Sequence, residues 1–136
     1  MIYEKSFVVN EKAENYIRHV NNLRYLEWFI ETAIEHAQSL GWGMRETKDL
    51  GLAWVATKHC IEYKKPAYQK DELKIKTWIQ KVTPTRITRH YECYRGDELL
   101  AKADTIWVLV DYDAERPRAI PKELKARFEE ICLPQS

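Results

Sequence analysis

One long amphipathic segment constrains the fold of this chain more than any other feature. Its apolar side chains recur every three or four residues, the spacing that places them on one face of an α-helix. They are Leu26, Phe29, Ile30, Ala33, Ile34 and Ala37. Gly41 and Gly43 follow the segment and favour its termination. We therefore predict a helix over residues 21–40, and this helix must bury its apolar face against another element.

Strands are predicted on both sides of this helix. They span residues 3–9, 54–63, 73–81, 86–94 and 99–112. In residues 73–81, Leu73, Ile75, Thr77 and Ile79 alternate with Lys74, Lys76, Trp78 and Gln80, which indicates one buried and one exposed face. A short final helix is predicted over residues 121–130, with Pro121 at its first position.

This order of elements predicts an α+β fold in which a curved antiparallel sheet of about five strands wraps around the long helix. One helix cannot cover both faces and the edges of such a sheet. We therefore expect self-association through a strand edge or a sheet face, giving a homodimer or a homotetramer.

The composition excludes several classes of protein. The 136 residues carry 22 basic and 21 acidic side chains, a near balance that argues against a general nucleic-acid binder. No apolar run approaches the roughly 20 residues needed to cross a bilayer, and the N-terminus has no signal-peptide core. The three cysteines, Cys60, Cys93 and Cys132, lie far apart in the sequence and form no CxxC pair. This spacing favours reduced thiols over disulfide bonds or a zinc site. We expect a single cytoplasmic domain over residues 1–136 that binds neither nucleic acid nor membrane.

Three segments together resemble a known family. They read HVNNLRYLEWF (19–29), IEYKKPAYQKDELKIKTWI (61–79) and YRGDELLAKADTIWVLVDYDAERPRAIP (94–121). In this order they are similar to the hot-dog-fold thioesterases of the 4-hydroxybenzoyl-CoA thioesterase superfamily and to the related plant acyl-ACP thioesterases. The resemblance covers residues 3–128. It implies a hot-dog fold and hydrolysis of a thioester of coenzyme A or acyl carrier protein (ACP).

The resemblance also implies a set of catalytic residues. Asn22 matches the residue whose backbone N–H polarises the thioester carbonyl, at a helix start where amide hydrogens are free and the dipole is positive. The family usually has a carboxylate four residues before the histidine, but here that position is Asn15. An amide can orient water or substrate but cannot act as a base. His19 is then either the base or an anchor of the loop, and Glu14 is an alternative base. An N-cap role for Asn21 or Asn22 is compatible with these assignments.

Substrate-binding residues are predicted around the same helix start. Tyr25 is predicted near the pocket mouth, either as part of an acyl channel or as a core or subunit-interface residue. The phosphates of coenzyme A, or an acidic carrier protein, require cations. The candidates flank two turns that the family places near its coenzyme A site: Lys64, Lys65, Arg86 and Arg89. No metal is expected, and no cofactor except the coenzyme A or phosphopantetheine that is part of the substrate. The other histidines, His36, His59 and His90, have no metal-ligand spacing and are predicted at the surface.

The sequence therefore favours a thioester hydrolase with Asn15, His19 and Asn22 in the reaction centre. The main alternative is a non-catalytic protein that binds acyl thioesters in a pocket lacking the usual carboxylate. A hot-dog dehydratase is less well supported, because the sequence shows no clear pairing of a histidine with an acid across the helix. A plain interaction module remains the last alternative.

Overall fold

The computed structural model describes residues 1–10 and 20–134. The elements are β1 (Tyr3–Val8), α1 (Asn22–Ser39), α2 (Met44–Asp49), β2 (Leu52–Tyr63), β3 (Glu72–Val82), β4 (Arg86–Arg95), β5 (Glu98–Asp111), β6 (Arg116–Pro117) and α3 (Lys122–Ile131). The five long strands form one antiparallel sheet in the order β1-β3-β4-β5-β2, and the two-residue β6 pairs with β5. The predicted α+β fold, one antiparallel sheet with one long helix, is confirmed.

Helix α1 packs over the β1 and β3 side of the sheet. The ring of Phe29 stacks on that of Tyr91 from β4, with the centroids 5.2 Å apart, and both side chains are fully buried. A second hydrophobic cluster lies at the other end of the sheet, beneath α3, and includes Ile87, Leu109 and Phe128. Trp107 packs against both clusters. The core is therefore built in two parts along the length of the sheet.

The buried face of α1 differs from the predicted one. Its buried side chains are Tyr25, Trp28, Phe29, Thr32, Ala33 and His36. Leu26 and Ile30 are only half-buried, and Ile34 is 37% exposed. The polar groups of the buried face have partners inside the fold; for example, the Thr32 hydroxyl donates to the Trp28 carbonyl at 2.7 Å. Polar side chains can be buried when their hydrogen bonds are made within the fold. The prediction counted only apolar residues and therefore chose the neighbouring face of the helix as the buried one.

Most element boundaries agree with the prediction to within two residues, but two features differ. Helix α2 lies between the predicted long helix and the strand predicted over residues 54–63, where the sequence analysis assigned no helix. It has only six residues and a single buried side chain, Thr47, so it has no apolar periodicity to reveal it. Pro121 is the N-cap of α3 and not its first helical residue. The alternation in β3 is confirmed, since Leu73, Ile75 and Ile79 are buried and the lysines between them are not.

Strand β2 forms one edge of the sheet and is 12 residues long. Its side chains are mostly exposed, including Val55 at 43% and Tyr63 at 41%. The strand therefore presents a long row of backbone groups beside apolar side chains. No helix in the described part of the chain is long and apolar enough to span a membrane.

Candidate active site

The start of α1 exposes one backbone N–H group. Asn21 is the N-cap, and its side-chain oxygen accepts a hydrogen bond from the Leu23 N–H at 2.8 Å. The Arg24 N–H donates to the Asn21 carbonyl at 3.0 Å. The N–H of Asn22, the first helical residue, donates to no described residue. The capping role proposed for Asn21 and the carbonyl-polarising role proposed for Asn22 are therefore compatible, because they use different donors.

The connection between β2 and β3, residues 64–71, holds this helix start in place. The Val20 N–H donates to the Ala67 carbonyl at 2.9 Å. The Tyr25 hydroxyl donates to the Lys65 carbonyl at 3.4 Å. At the end of β2, the Tyr63 hydroxyl donates to the Asn22 carbonyl at 3.2 Å. Bonds from both sides of the first turn thus fix the direction of the free N–H.

Lys64 and Lys65 lie in this connection, close to the helix start. Each is already paired with a carboxylate: Lys64 with Glu62 at 2.9 Å and Lys65 with Glu98 at 2.7 Å. All four side chains are at least one-third exposed, so these ion pairs contribute little to stability. Either lysine can therefore exchange its carboxylate partner for another anion at little cost in free energy.

Arg95 adds a cation that the sequence prediction missed. Its guanidinium bonds to the Asp71 carboxylate at 2.7 Å, to the Glu98 carboxylate, and to the Pro66 carbonyl at 3.2 Å. These bonds tie the β4–β5 hairpin to the β2–β3 connection. Arg95 is distant in sequence from the helix start, and only the pairing of the strands brings it close to the β2–β3 connection. Sequence reasoning without that pairing could not have found it.

The other two predicted cations lie elsewhere. Arg86 begins β4 and pairs with Val108, whereas Arg95 ends the same strand and pairs with Glu98. The nine residue steps from Arg86 to Arg95 correspond to about 30 Å of strand. Arg89 is only 2% exposed, so it cannot meet a phosphate at the surface. The four predicted cations therefore form no single cluster. The prediction that Arg89 belongs to a surface phosphate site is wrong, because its side chain is buried.

Tyr25 belongs to the core of the fold. It is 1% exposed, and its ring meets Trp28 and Tyr63 edge-on at centroid distances of 5.4 Å and 5.6 Å. Burial raises the pKa of its hydroxyl to about 12, so it stays protonated and acts as a donor to Lys65. Of the roles predicted for Tyr25, its burial in this chain fits that of a core residue beside the helix start. Asn15, His19 and Glu14 lie outside the described residues, so their roles stay predictions.

A buried polar cluster lies further along α1. One Arg89 nitrogen, Nη1, donates to His36 Nδ1 at 2.8 Å and to the Thr77 hydroxyl at 3.3 Å. His36 is fully buried and stacks on Tyr3, with ring centroids 4.9 Å apart. Because arginine only donates, His36 Nδ1 must be the acceptor and the imidazole must be neutral. Burial, and to a lesser extent the Arg89 charge, lowers the pKa of His36 to about 4.

The prediction that His36 is a surface residue is therefore wrong. The prediction for His59 is confirmed, since it is exposed on β2, with Nδ1 2.9 Å from the Thr105 hydroxyl. The side chain of His90 is 12% exposed and lies between two carboxylates, with Glu92 and Asp104 each at 2.8 Å. Strand parity could have placed Arg89 correctly, because it lies two residues from Ile87 and from Tyr91 and so shares their core-facing side of the strand.

Comparison with characterised proteins gives the same family from sequence. The acyl-ACP thioesterase N-terminal domain model matches residues 1–128. The chloroplast oleoyl-ACP thioesterase 2 of Arabidopsis thaliana is 30% identical over 115 residues, covering 77% of this chain and 31% of that protein. The acyl-CoA thioesterase YbgC of Haemophilus influenzae is 28% identical over 113 residues, covering 82% of this chain and 83% of that protein. The chain thus spans about a third of the plant protein's length.

Solved structures share the fold. A probable thioesterase from Bartonella henselae superposes with a TM-score of 0.81 at 22% identity, covering 89% of this chain and all of the other. A 1,4-dihydroxy-2-naphthoyl-CoA thioesterase from Synechocystis gives 0.85 at 18% identity, covering 98% of this chain and all of the other. A Staphylococcus aureus protein solved in complex with CoA gives 0.88 at 13% identity, covering all of this chain and 89% of the other. These likenesses establish the hot-dog fold, and the match to the domain model over residues 1–128 shows that the chain belongs to the acyl-ACP thioesterase family.

Proposed function

We propose that this protein hydrolyses an acyl thioester of coenzyme A or ACP to a free acid and a thiol. The observation that carries this proposal is the N–H of Asn22, which donates to no described residue at the positive end of an 18-residue helix. Such a donor stabilises negative charge on a carbonyl oxygen, and preorganised donors of this kind are usually the largest single contribution to acyl-transfer catalysis.

The reaction then proceeds by attack of water on the thioester carbonyl carbon. The carbonyl oxygen becomes an oxyanion and accepts a hydrogen bond from the Asn22 N–H. When the oxyanion collapses, the bond from carbon to sulfur breaks, and the thiolate takes up the proton that the water has lost. Asn15 is proposed to orient the water, and His19 to accept its proton or to anchor the loop.

The carrier is proposed to approach along the β2–β3 connection. Lys64 and Lys65 are exposed there, beside the helix start, and would meet the phosphates of coenzyme A or the acidic surface of a carrier protein. We assign Arg86 no part in this contact because it lies at the far end of β4. The free thiols of Cys60, Cys93 and Cys132 are consistent with a reducing compartment, and we propose the cytoplasm.

The edge of β2 is proposed to join two copies of the chain as a homodimer. On its outer side no described strand pairs with its 12 residues, which leaves backbone groups exposed beside Val55 and Tyr63. Leu23 and Ile34 on α1 are also exposed, at 68% and 37%. Pairing of two such edges would satisfy the backbone groups and cover apolar side chains.

Two substitutions at Asn22 test the backbone role directly. Proline is accepted at the first helical position, where it removes only the N–H. It also requires an extended residue before it, and Asn21 already has φ −59° and ψ 136°. We therefore expect Asn22→Pro to keep the fold but lower kcat roughly 100- to 1,000-fold. Asn22→Ala, the matched control, should keep most of the activity.

Free-thiol release from acyl-CoA esters of increasing chain length measures both variants against the wild type. Equal losses in the two variants would contradict the backbone role. The alternative function, a binder without activity, is tested by Asn15→Asp. A gain of several orders of magnitude in a protein that otherwise hydrolyses nothing would favour the binder.

A further inference from the structure

Arg89 carries a charge that no described carboxylate neutralises. Its guanidinium is buried, and burial lowers its pKa to about 10, so it stays protonated at neutral pH. Its hydrogen bonds to described residues, those to His36 and Thr77, both come from Nη1. A guanidinium has five donors, so those on Nε and Nη2 remain for another acceptor. A buried charge without a counter-ion is costly, which suggests that this one has a role in binding.

A cavity of about 60 Å³ lies against Arg89, where the two hydrophobic clusters meet. On this measure one water needs roughly 10–15 Å³, so a carboxylate group fits. Apart from Arg89, every side chain that lines it is apolar: Ala33, Ile34, Ala37, Trp54, Ile87, Trp107 and Phe128. The arginine is thus the charged group at the end of an apolar chamber.

A larger cavity of about 490 Å³ adjoins this chamber and shares Ile34, Ala37, Trp54 and Trp107 with it. It extends beneath α2, and Arg45 and Lys48 stand among its walls. The two cavities together are large enough for an extended acyl group. Neither contains a carboxylate side chain in its lining.

Apolar side chains lie along one side of α1 between its start and this chamber. Leu26, Ile30 and Ile34 follow one another along the half-exposed side of the helix, and Ile34 itself lines the cavities. Ala33 in the chamber wall is 11 residues beyond Asn22, which corresponds to about 16 Å of helix. An extended alkyl chain with C–C bonds of ~1.5 Å advances about 1.3 Å per carbon, so roughly a dozen carbons span that distance.

We propose that Arg89 binds the terminal carboxylate of an acyl group that ends in a second carboxyl group, so that the substrates are mono-thioesters of medium-chain dicarboxylic acids. This inference rests on the proposed function, because it places the thioester carbonyl at Asn22. The carboxylate accepts hydrogen bonds from Nε and Nη2 in the side-on geometry that arginine favours, and it neutralises the buried charge. His36 and Thr77 are positioning residues that hold the guanidinium at the chamber wall.

The test compares hydrolysis of the mono-CoA thioester of dodecanedioic acid with that of dodecanoyl-CoA. The wild type should prefer the dicarboxylic substrate in kcat/KM, and Arg89→Leu should lower that preference roughly 10- to 100-fold. Arg89→Gln keeps donor groups without the charge and serves as a second variant if the leucine variant folds poorly. Arg86→Leu removes an exposed cation from the same strand and should leave the preference unchanged.

Binding of free dodecanedioate and dodecanoate is measured in parallel by the fluorescence of Trp54 and Trp107. Hydrolysis with no preference for the dicarboxylic substrate, in the wild type itself, overturns this inference and leaves the proposed function standing. A hydroxyaryl-CoA thioester is tested as a third substrate. A preference of the wild type for that substrate alone also overturns this inference. Arg89-dependent binding of dodecanedioate without any hydrolysis supports the carboxylate site and overturns the proposed function. If the protein shows neither binding nor hydrolysis, both this inference and the proposed function are overturned.

Discussion

The neutral, buried His36 predicts how the stability of this fold depends on pH. Its folded-state pKa is lowered from 6.5 to about 4, so on acidification the unfolded chain binds a proton before the folded chain does. Stability is therefore complete above the unfolded pKa of 6.5 and falls as the pH drops toward 4. The full difference of 2.5 pKa units, 6.5 minus 4, corresponds to about 3 kcal/mol. Between pH 7 and pH 5 the expected loss is about 2 kcal/mol.

Urea unfolding followed by tryptophan fluorescence at pH 7 and pH 5 measures this loss. His36→Gln removes the titrating group and should reduce the pH dependence by about 2 kcal/mol. His59→Gln, which replaces an exposed histidine on β2, should retain the wild-type dependence. If His36→Gln lost as much free energy of unfolding between the two pH values as the wild type, the buried neutral imidazole would be wrong.

Two further substitutions test the edge of the sheet and the start of the helix. Val55→Lys should convert the proposed dimer into a monomer, as measured by light scattering, because a charge on an exposed edge opposes strand pairing. Val8→Lys is the control, since Val8 lies on β1 at the opposite edge of the sheet, and this variant should remain dimeric. Asn21→Ala should lower the free energy of unfolding by about 1 kcal/mol and also reduce kcat, since it removes the bond to the Leu23 N–H. An unchanged kcat would separate the cap from the reaction centre.

The sequence predicted the parts of this fold that depend on simple periodicity. Strand β3 alternates in the structure as it does in the sequence, because one of its faces packs on the core. The predicted buried face of α1 was displaced from the observed one. Thr32 and His36 are buried with their polar groups hydrogen-bonded, and a count of apolar residues does not detect such positions. Helix α2 was missed because a six-residue helix shows no period.

Part of the candidate site was also within reach of the sequence. Asn22 was placed at the first turn of α1, and that position is confirmed. The cations were grouped by their nearness to turns, but only Lys64 and Lys65 lie near the helix start. Locating Arg89 required the strand parity, and finding no carboxylate beside it among the described residues required the three-dimensional packing of α1 on the sheet.

The β2–β3 connection has two duties that cannot be separated. The same eight residues, 64–71, display the lysines and clamp the first turn of α1 through the carbonyls of Lys65 and Ala67. An evolutionary change that lengthened this connection to alter the proposed carrier contact would therefore also tilt the proposed oxyanion donor. Homologues with different carriers should accordingly differ in side-chain charge here while keeping the length of the connection, which makes loop grafting at constant length the practical route to altered carrier choice.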